Sequence, residues 1–405
     1  MSQNEEVLSY PLPYDTALSA PAEWERLRAK CPVATVELPS GDHAKLLTRH
    51  EHVKGLLSDP RFARPGAGDN AARVSPEGTG GAAANGDMAL AVPATGEGHQ
   101  HWRRLVGKYF TAKRMAALRP GMVEIAERLI DDMVASGAPA DLKAALGFPL
   151  PVYVICDMLG VPADDHHRFS RWSDMFLSTS RYSREETAQG LTEFTQYMSG
   201  HVAAKRATPT DDLIGMLIGE SEQEGQGLTD AQLVSTAMGL LVAGHETTAN
   251  MIGKMMAMLL VDRTRYERLL AEPRLVRTAV EESLRFDANN GFGLRRYLTD
   301  DIEVEGETLP AGTTVLCSMS AGNRDENVFA GADDMDLGRS PNPHLTFGAG
   351  PHSCLGQSLA RTELQVVLET LLRRLPTLEL AVPEQDLRRV EGLLVGGLRE
   401  VPVRW

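Results

Sequence analysis

Cysteine is scarce in this chain, four residues in 405, and none of the four (Cys31, Cys156, Cys317 and Cys354) stands in CxxC spacing. That excludes a zinc cluster built on paired cysteines and a disulfide framework, and reduced thiols fit a cytoplasmic protein. Basic residues are outnumbered, 41 Lys and Arg against 55 Asp and Glu, for a formal net charge of −14. Sequence-independent nucleic-acid binding needs a basic surface to displace phosphate counterions, so no nucleic-acid partner is expected. The amino terminus, MSQNEEVLSY, lacks both a basic region and an apolar run, which argues against a signal peptide or an anchor. The most apolar stretch, around Leu233 to Val261, is interrupted by His245, Glu246 and Lys254, residues that a lipid-facing span tolerates poorly. No membrane span, internal repeat or low-complexity tract is expected.

What is present is the composition of a soluble globular protein, 42% hydrophobic and 24% charged. Ala34 to Leu38 and Ala44 to Thr48 flank Pro39, Ser40, Gly41 and Asp42 and predict a hairpin, followed by a short helix to Leu57. Arg64 to Gly98, rich in Gly, Ala and Pro, predicts a long mobile loop, either a lid or a connector. Amphipathic helical patterns run from His99 to about Arg206, broken at Pro139, Pro149 and Pro151. Thr229 and Gln232 form a capping-box pattern ahead of a helix from Asp230 to about Asp262, roughly 50 Å long at 1.5 Å per residue. Gly219 to Gly227 predicts a surface loop between helices. A further helix spans about Pro273 to Arg285, strand-like pieces lie between Leu298 and Cys317, and a last helix, to Leu375, starts directly at Cys354. Gly396 and Gly397 predict a two-residue hairpin turn.

Four constellations carry chemistry. The loop Phe347 to Gly356, FGAGPHSCLG, sets Cys354 ahead of a helix whose first amides and dipole favour a thiolate, the form that ligates iron; Gly350 and Gly356 let the backbone approach a flat ligand. Taken alone, the same loop describes a buried small residue in a tight turn. The second is Ala243, Gly244, His245, Glu246, Thr247 and Thr248 in mid-helix. An acid and a hydroxyl there are costly unless satisfied, Thr back-bonds to its own helix and bends it, and the notch suits dioxygen with a water chain relayed by Thr247 and Glu246. An exposed polar face of an ordinary helix explains the motif alone equally well. HExxH fails because Ala249 occupies the second histidine position, and GxGxxG fails because Ser353 replaces a glycine. The third is Glu282 with Arg285, spaced to pair on one helix, with Arg339 as a further partner; as a surface pair it is worth ~0 to 1 kcal/mol. The fourth is His99 and Arg103, on one helix face, joined by Arg296 and His352. Such donors suit the two propionates of a haem, although each singly also describes a solvated charge.

Together and in this order these pieces resemble the cytochrome P-450 superfamily, specifically its soluble bacterial, ferredoxin-dependent type. FGAGPHSCLG carries the haem-loop pattern at Phe347, Gly350, Cys354 and Gly356, AGHETT the oxygen-activation motif, and Glu282 with Arg285 the ExxR pair; HQHWRRLV from His99 and LRRYLTDD for Arg296 fall where propionate-binding residues belong. The resemblance spans essentially the whole chain. It implies one mainly α domain over 1–405, a large helical body with small β-sheets around a buried haem. It implies a haem-thiolate monooxygenase with haem b and O2. Cys354 would be the metal ligand, Thr247 and Glu246 the catalytic pair, and His99, Arg103, Ala243, Gly244, Arg296, Phe347, Gly348, His352 and Gly356 the cofactor's surroundings. Glu282, Arg285 and Arg339 would be structural.

No flavin or iron–sulfur motif is present, so electrons from NAD(P)H are expected through a ferredoxin reductase and a ferredoxin. From Gly98 to Val123 there is no acid, while Arg103, Arg104, Lys108, Lys113, Arg114 and Arg119 cluster there. Such a patch steers an acidic partner, and equally describes a solvated helix face. The expected reaction is hydroxylation or epoxidation of a mid-sized secondary metabolite, with oxidative coupling or ring formation as the alternative and a haem sensor behind both. By the family's layout, substrate contacts fall at Met88, Leu90, Phe176, Leu240, Asn289, Asn290, Phe292, Leu393 and Leu394. FDANNGFG, after Arg285, lacks the proline often found there in relatives. A monomer is expected.

Overall fold

Thr229 and Gln232 cap each other at the head of the longest helix: the Thr229 hydroxyl accepts from the Gln232 amide (3.2 Å), and Gln232 Oε1 accepts from the Thr229 amide (2.9 Å). The helix then runs 31 residues, Asp230–Leu260. Every residue from Thr248 to Leu260 is buried, as expected for a helical segment that is apolar almost all round. The computed structural model describes residues 7–59, 61–62, 70–74, 91–93, 95–177, 182–224, 227–289, 291–390 and 395–405. Helices Pro149–Leu159, His166–Leu177, Arg184–Ala207 and Gln357–Arg374 pack around the long one, and Ala112–Ser136 packs on Gln357–Arg374. The protein is mainly helical, and no described helix is long and apolar enough to cross a membrane.

The predicted hairpin is present as antiparallel strands Val33–Glu37 and His43–Leu47. It belongs to a five-stranded sheet in the order Leu8–Ser9, Val33–Glu37, His43–Leu47, Thr314–Cys317, Leu294–Tyr297. The last pairing sets Arg296 opposite Val315. Smaller sheets join Ala140–Asp141 with Pro402–Arg404 and Glu379–Leu380, and Ile302–Val304 with Glu307–Leu309.

Several predicted boundaries shift. Pro149 does not interrupt a helix; it opens one, with Pro151 inside its first turn, where a missing amide costs nothing. Pro120 sits inside the helix Ala112–Ser136, which the pattern ran through. The helix expected from His99 begins at Gly96. The expected Gly219 to Gly227 loop is helical as far as Glu224. Most of the predicted 64–98 loop lies outside the described residues. The last helix starts at Gln357 rather than at Cys354. The glycine pair is not the tip of a turn: Val390 donates to Gly397 O (2.8 Å) and Arg399 to Arg388 O (2.8 Å), around an isolated antiparallel bridge between Arg389 and Leu398, so Gly397 already lies beside Val390.

Candidate active site

The cysteine loop folds back on itself, with the Cys354 amide donating to Phe347 O (2.8 Å). Gly348 and Gly350 both have φ +69°, the left-handed region that disfavours side chains. A Cβ on Gly350 would stand 2.6 Å from Leu57 O and 2.5 Å from Ser58 Cα, so this glycine is required by the helix His50–Ser58 and not by a ligand. Gly356 is different, with nothing within 4 Å of its would-be Cβ. Cys354 is exposed, an unusual state for a cysteine outside a disulfide, and stands three residues ahead of the first helical residue. Phe347 is half-buried, with the Arg361 guanidinium 4.4 Å from its ring centroid.

In the long helix, Ala243 and Thr247 are exposed, one turn apart, while His245, Thr248, Ala249 and Asn250 are buried. One stripe of a central helix therefore faces open space. Thr247 Oγ1 donates to Ala243 O (2.7 Å), the back-bond expected of a mid-helix threonine, which leaves its lone pairs to accept from elsewhere. Gly244 is needed for packing, since a Cβ would meet Ile155 Cδ1 at 2.8 Å. His245 is an anchor: its Nε2 donates to Phe148 O (3.0 Å), Nδ1 accepts from the Ser173 hydroxyl (2.5 Å), and burial lowers its pKa to about 4, so it is neutral. Burial pushes Glu246 up to about 7, opposed by the Lys143 charge and a hydrogen bond from Asn250.

Four donors from three separated parts of the chain gather near the cysteine loop or in the adjoining sheet. The rings of His99 and His352 stack with centroids 4.6 Å apart, and Arg103 Nη2 donates to Ser353 O (2.9 Å). Burial lowers the Arg103 pKa, and the neighbouring Cys354 acts against that. Arg296 is buried, with Nη1 donating to Arg295 O (2.9 Å). An exposed thiol, a glycine beside open space, an uncovered mid-helix stripe and cationic donors form the donor set that an iron porphyrin with two carboxylates requires. The residues fit the group.

Glu282 and Arg285 are 0% exposed and paired in bidentate fashion at 2.7 and 2.8 Å, so the surface-pair alternative is excluded. Arg285 also donates to Asn323 O, Ala332 O and Asp334 O, while Glu282 accepts from Arg339, Asn342 and the Asp336 amide. Every polar edge of the pair is occupied, which is what makes a buried pair tolerable. The basic patch is less charged than its composition suggests: Lys108 pairs with Glu220, Arg114 with Asp211 and Arg119 with Glu369. Arg104 and Lys113 have no acid partner among the described residues.

Among the expected substrate contacts, Leu240 and Phe292 are half-buried, and Phe176 is buried edge-on to Phe194 (5.9 Å). Asn289 is buried and bonded to Gly397 O (3.2 Å). Met88, Leu90, Asn290, Leu393 and Leu394 lie outside the described residues. Sequence reasoning missed Glu363, which is 1% exposed and stands against Thr248, and the buried pair Lys254–Asp287. The signal for each was a charge at an apolar position of an amphipathic or apolar helix.

A family model described as cytochrome P-450 matches residues 155–395. The chain is 42% identical over 399 residues to mycinamicin IV hydroxylase/epoxidase of Micromonospora griseorubida, covering 98% of each. It is 42% identical over 400 residues to nocardicin C N-oxygenase of Nocardia uniformis subsp. tsuyamanensis, again covering 98% of each. A solved structure of the mixed-function P-450 MycG superposes with a TM-score of 0.90 at 41% identity, covering 99% of this chain and 100% of that one. The putative thioether synthase SgvP gives 0.88 at 36%, covering 99% and 100%. With a family match over more than half of the chain and relatives similar from end to end, the chain belongs to the cytochrome P-450 family, as a haem-thiolate monooxygenase of the soluble bacterial kind.

Proposed function

We propose that this chain, acting as one domain over 1–405, inserts one atom of O2 by hydroxylation or epoxidation into a mid-sized secondary metabolite. Electrons would come from NAD(P)H through a ferredoxin reductase and a ferredoxin, to a cytoplasmic, monomeric enzyme. The observation that carries this reading is the exposed Thr247 beside Glu246, in a helix whose flanking residues are buried. Relatives with hydroxylase, epoxidase and N-oxygenase in their names support it.

When bound, haem supplies an iron that activates dioxygen, a task to which a thiolate ligand adds electron density. Cys354 would hold that iron through Sγ. His99, Arg103, Arg296 and His352 would hold the two carboxylates, while Gly356, Gly348, Phe347 and Ala243 would lie against the flat ring. Thr247 already donates its proton to Ala243 O, so its oxygen would accept from a water and keep that proton donor in place. Glu246, with a pKa near 7, takes a proton from solvent and passes it on at neutral pH, the condition for efficient acid–base work. Leu240 and Phe292 are the proposed substrate walls. Arg104 and Lys113 are the charges left to meet an acidic ferredoxin.

The test is turnover with a ferredoxin and its reductase under labelled O2, over a panel of macrolide-like and peptide-like compounds. A product heavier by one labelled oxygen supports insertion. Loss of two hydrogens without label supports the second reading, ring formation, which the likeness to a putative thioether synthase favours. Reduction without any product favours a sensor.

A further inference from the structure

Two turns beyond Thr247, inside the fully buried half of the long helix, stands Lys254. Its ammonium donates to Asp287 Oδ2 (2.6 Å) and to Asn289 O (2.7 Å), and both side chains of the pair are 4% exposed. Asp287 Oδ1 accepts from the Asn289 amide (2.9 Å), and Asn289 Nδ2 donates to Gly397 O (3.2 Å). The returning segment is fitted closely to this group. A Cβ on Gly396 would lie 2.1 Å from Asn289 Oδ1, and one on Gly397 2.2 Å from Asn250 Oδ1. The other end of the segment is also tied: Tyr10 donates to Phe292 O (3.1 Å), and a Cβ on Gly293 would lie 2.5 Å from Cys317 O.

Stability does not explain this pair. Burying two charges carries a desolvation penalty that an apolar pair of the same volume avoids, so replacement by hydrophobic side chains is often neutral or stabilising. What an apolar pair lacks is a directed bond to the Asn289 carbonyl. Because each charge is matched by the other, neither is offered to a ligand.

We propose that Lys254 and Asp287 are positioning residues for substrate shape: they fix the 287–289 backbone to the long helix and, through Asn289, hold the 395–398 segment. Shape selectivity among organic ligands then depends on them. The proposal rests on the haem reading, whose iron its probes bind, and on the reading of Phe292 and the segment after Arg285 as a substrate wall.

The experiment compares the haem-loaded parent with the double variant Lys254→Met/Asp287→Leu and with Asn289→Ala, titrating imidazole, 1-phenylimidazole and 4-phenylimidazole by the Soret shift. Amide exchange of peptides covering 287–289 and 395–398 is measured without azole. The expected result is unchanged imidazole affinity, a ratio of the two phenylimidazole dissociation constants altered by about fivefold or more, and faster exchange in both peptides. Asn289→Ala, which leaves the ion pair in place, moves the ratio the same way and keeps the test open if the double variant does not fold. An unaltered ratio overturns the proposal, whatever the exchange does. If the parent shows no Soret response to imidazole, the haem reading fails instead, and exchange alone decides the brace: unchanged rates overturn it.

Discussion

Thr248 on the long helix stands against Glu363 on the helix Gln357–Arg374, inside the protein, and burial pushes the Glu363 carboxyl up to about 8 from its ordinary 4.5, against the opposing effect of the Thr248 hydroxyl. Glu363 Oε1 has no hydrogen-bond partner. The folded state therefore holds this proton more tightly than the unfolded chain does. Its contribution to stability is full below pH 4.5 and is lost as the pH rises through 8, on the order of 5 kcal/mol over the whole range. Denaturant unfolding at pH 5 and pH 8 is expected to show a larger loss for the parent than for Glu363→Gln. Equal losses would contradict the assignment.

Glu246 titrates near 7 because it is buried, and only its protonated form has a proton to give. Product formed per electron pair is expected to fall as the pH rises above 7. In Glu246→Gln the dependence disappears and turnover drops by ~100-fold or more, with the carbon monoxide spectrum intact. The pH profile of coupled turnover checks this.

Thr247→Ala removes the hydroxyl that bonds Ala243 O on the uncovered stripe. The expected outcome is unchanged haem content, with electrons diverted from product to hydrogen peroxide. Stoichiometry of NAD(P)H, product and peroxide measures it, and parental coupling in the variant removes Thr247 from the proton path.

Arg285→Ala removes the bidentate partner of Glu282 at 0% exposure and leaves Arg339 as the one cation among the described residues still paired with that buried carboxylate. A loss of about 3–5 kcal/mol is expected, enough to prevent recovery of haem-loaded protein. Thermal unfolding and haem content check it, with Arg277→Ala, on the exposed side of the same helix, as a control expected to stay within about 0.5 kcal/mol of the parent.

The elements legible in the sequence were those with local signals. Thr229 and Gln232 announced the long helix because both halves of a capping box lie within one turn, and the Thr247 back-bond is equally local. Distant partners left no such trace. Nothing around Gly350 says that the Leu57 and Ser58 backbone excludes a side chain there, and nothing in GLL-VGGLRE says that Gly396 and Gly397 make room for Asn289 and Asn250 rather than for a turn. The basic run 98–123 looked strongly charged because Asp211, Glu220 and Glu369, which pair with it, lie far along the chain. The Lys254–Asp287 pair was hidden for the same reason, each charge being unremarkable until the fold closes on it.

The central claim is that Cys354 Sγ ligates haem iron, and the carbon monoxide difference spectrum of the reduced protein tests it most directly. The account predicts the long-wavelength Soret band of thiolate ligation in the parent and its disappearance in Cys354→Ser. A histidine-type spectrum in the parent, or a thiolate band that survives Cys354→Ser, would contradict it.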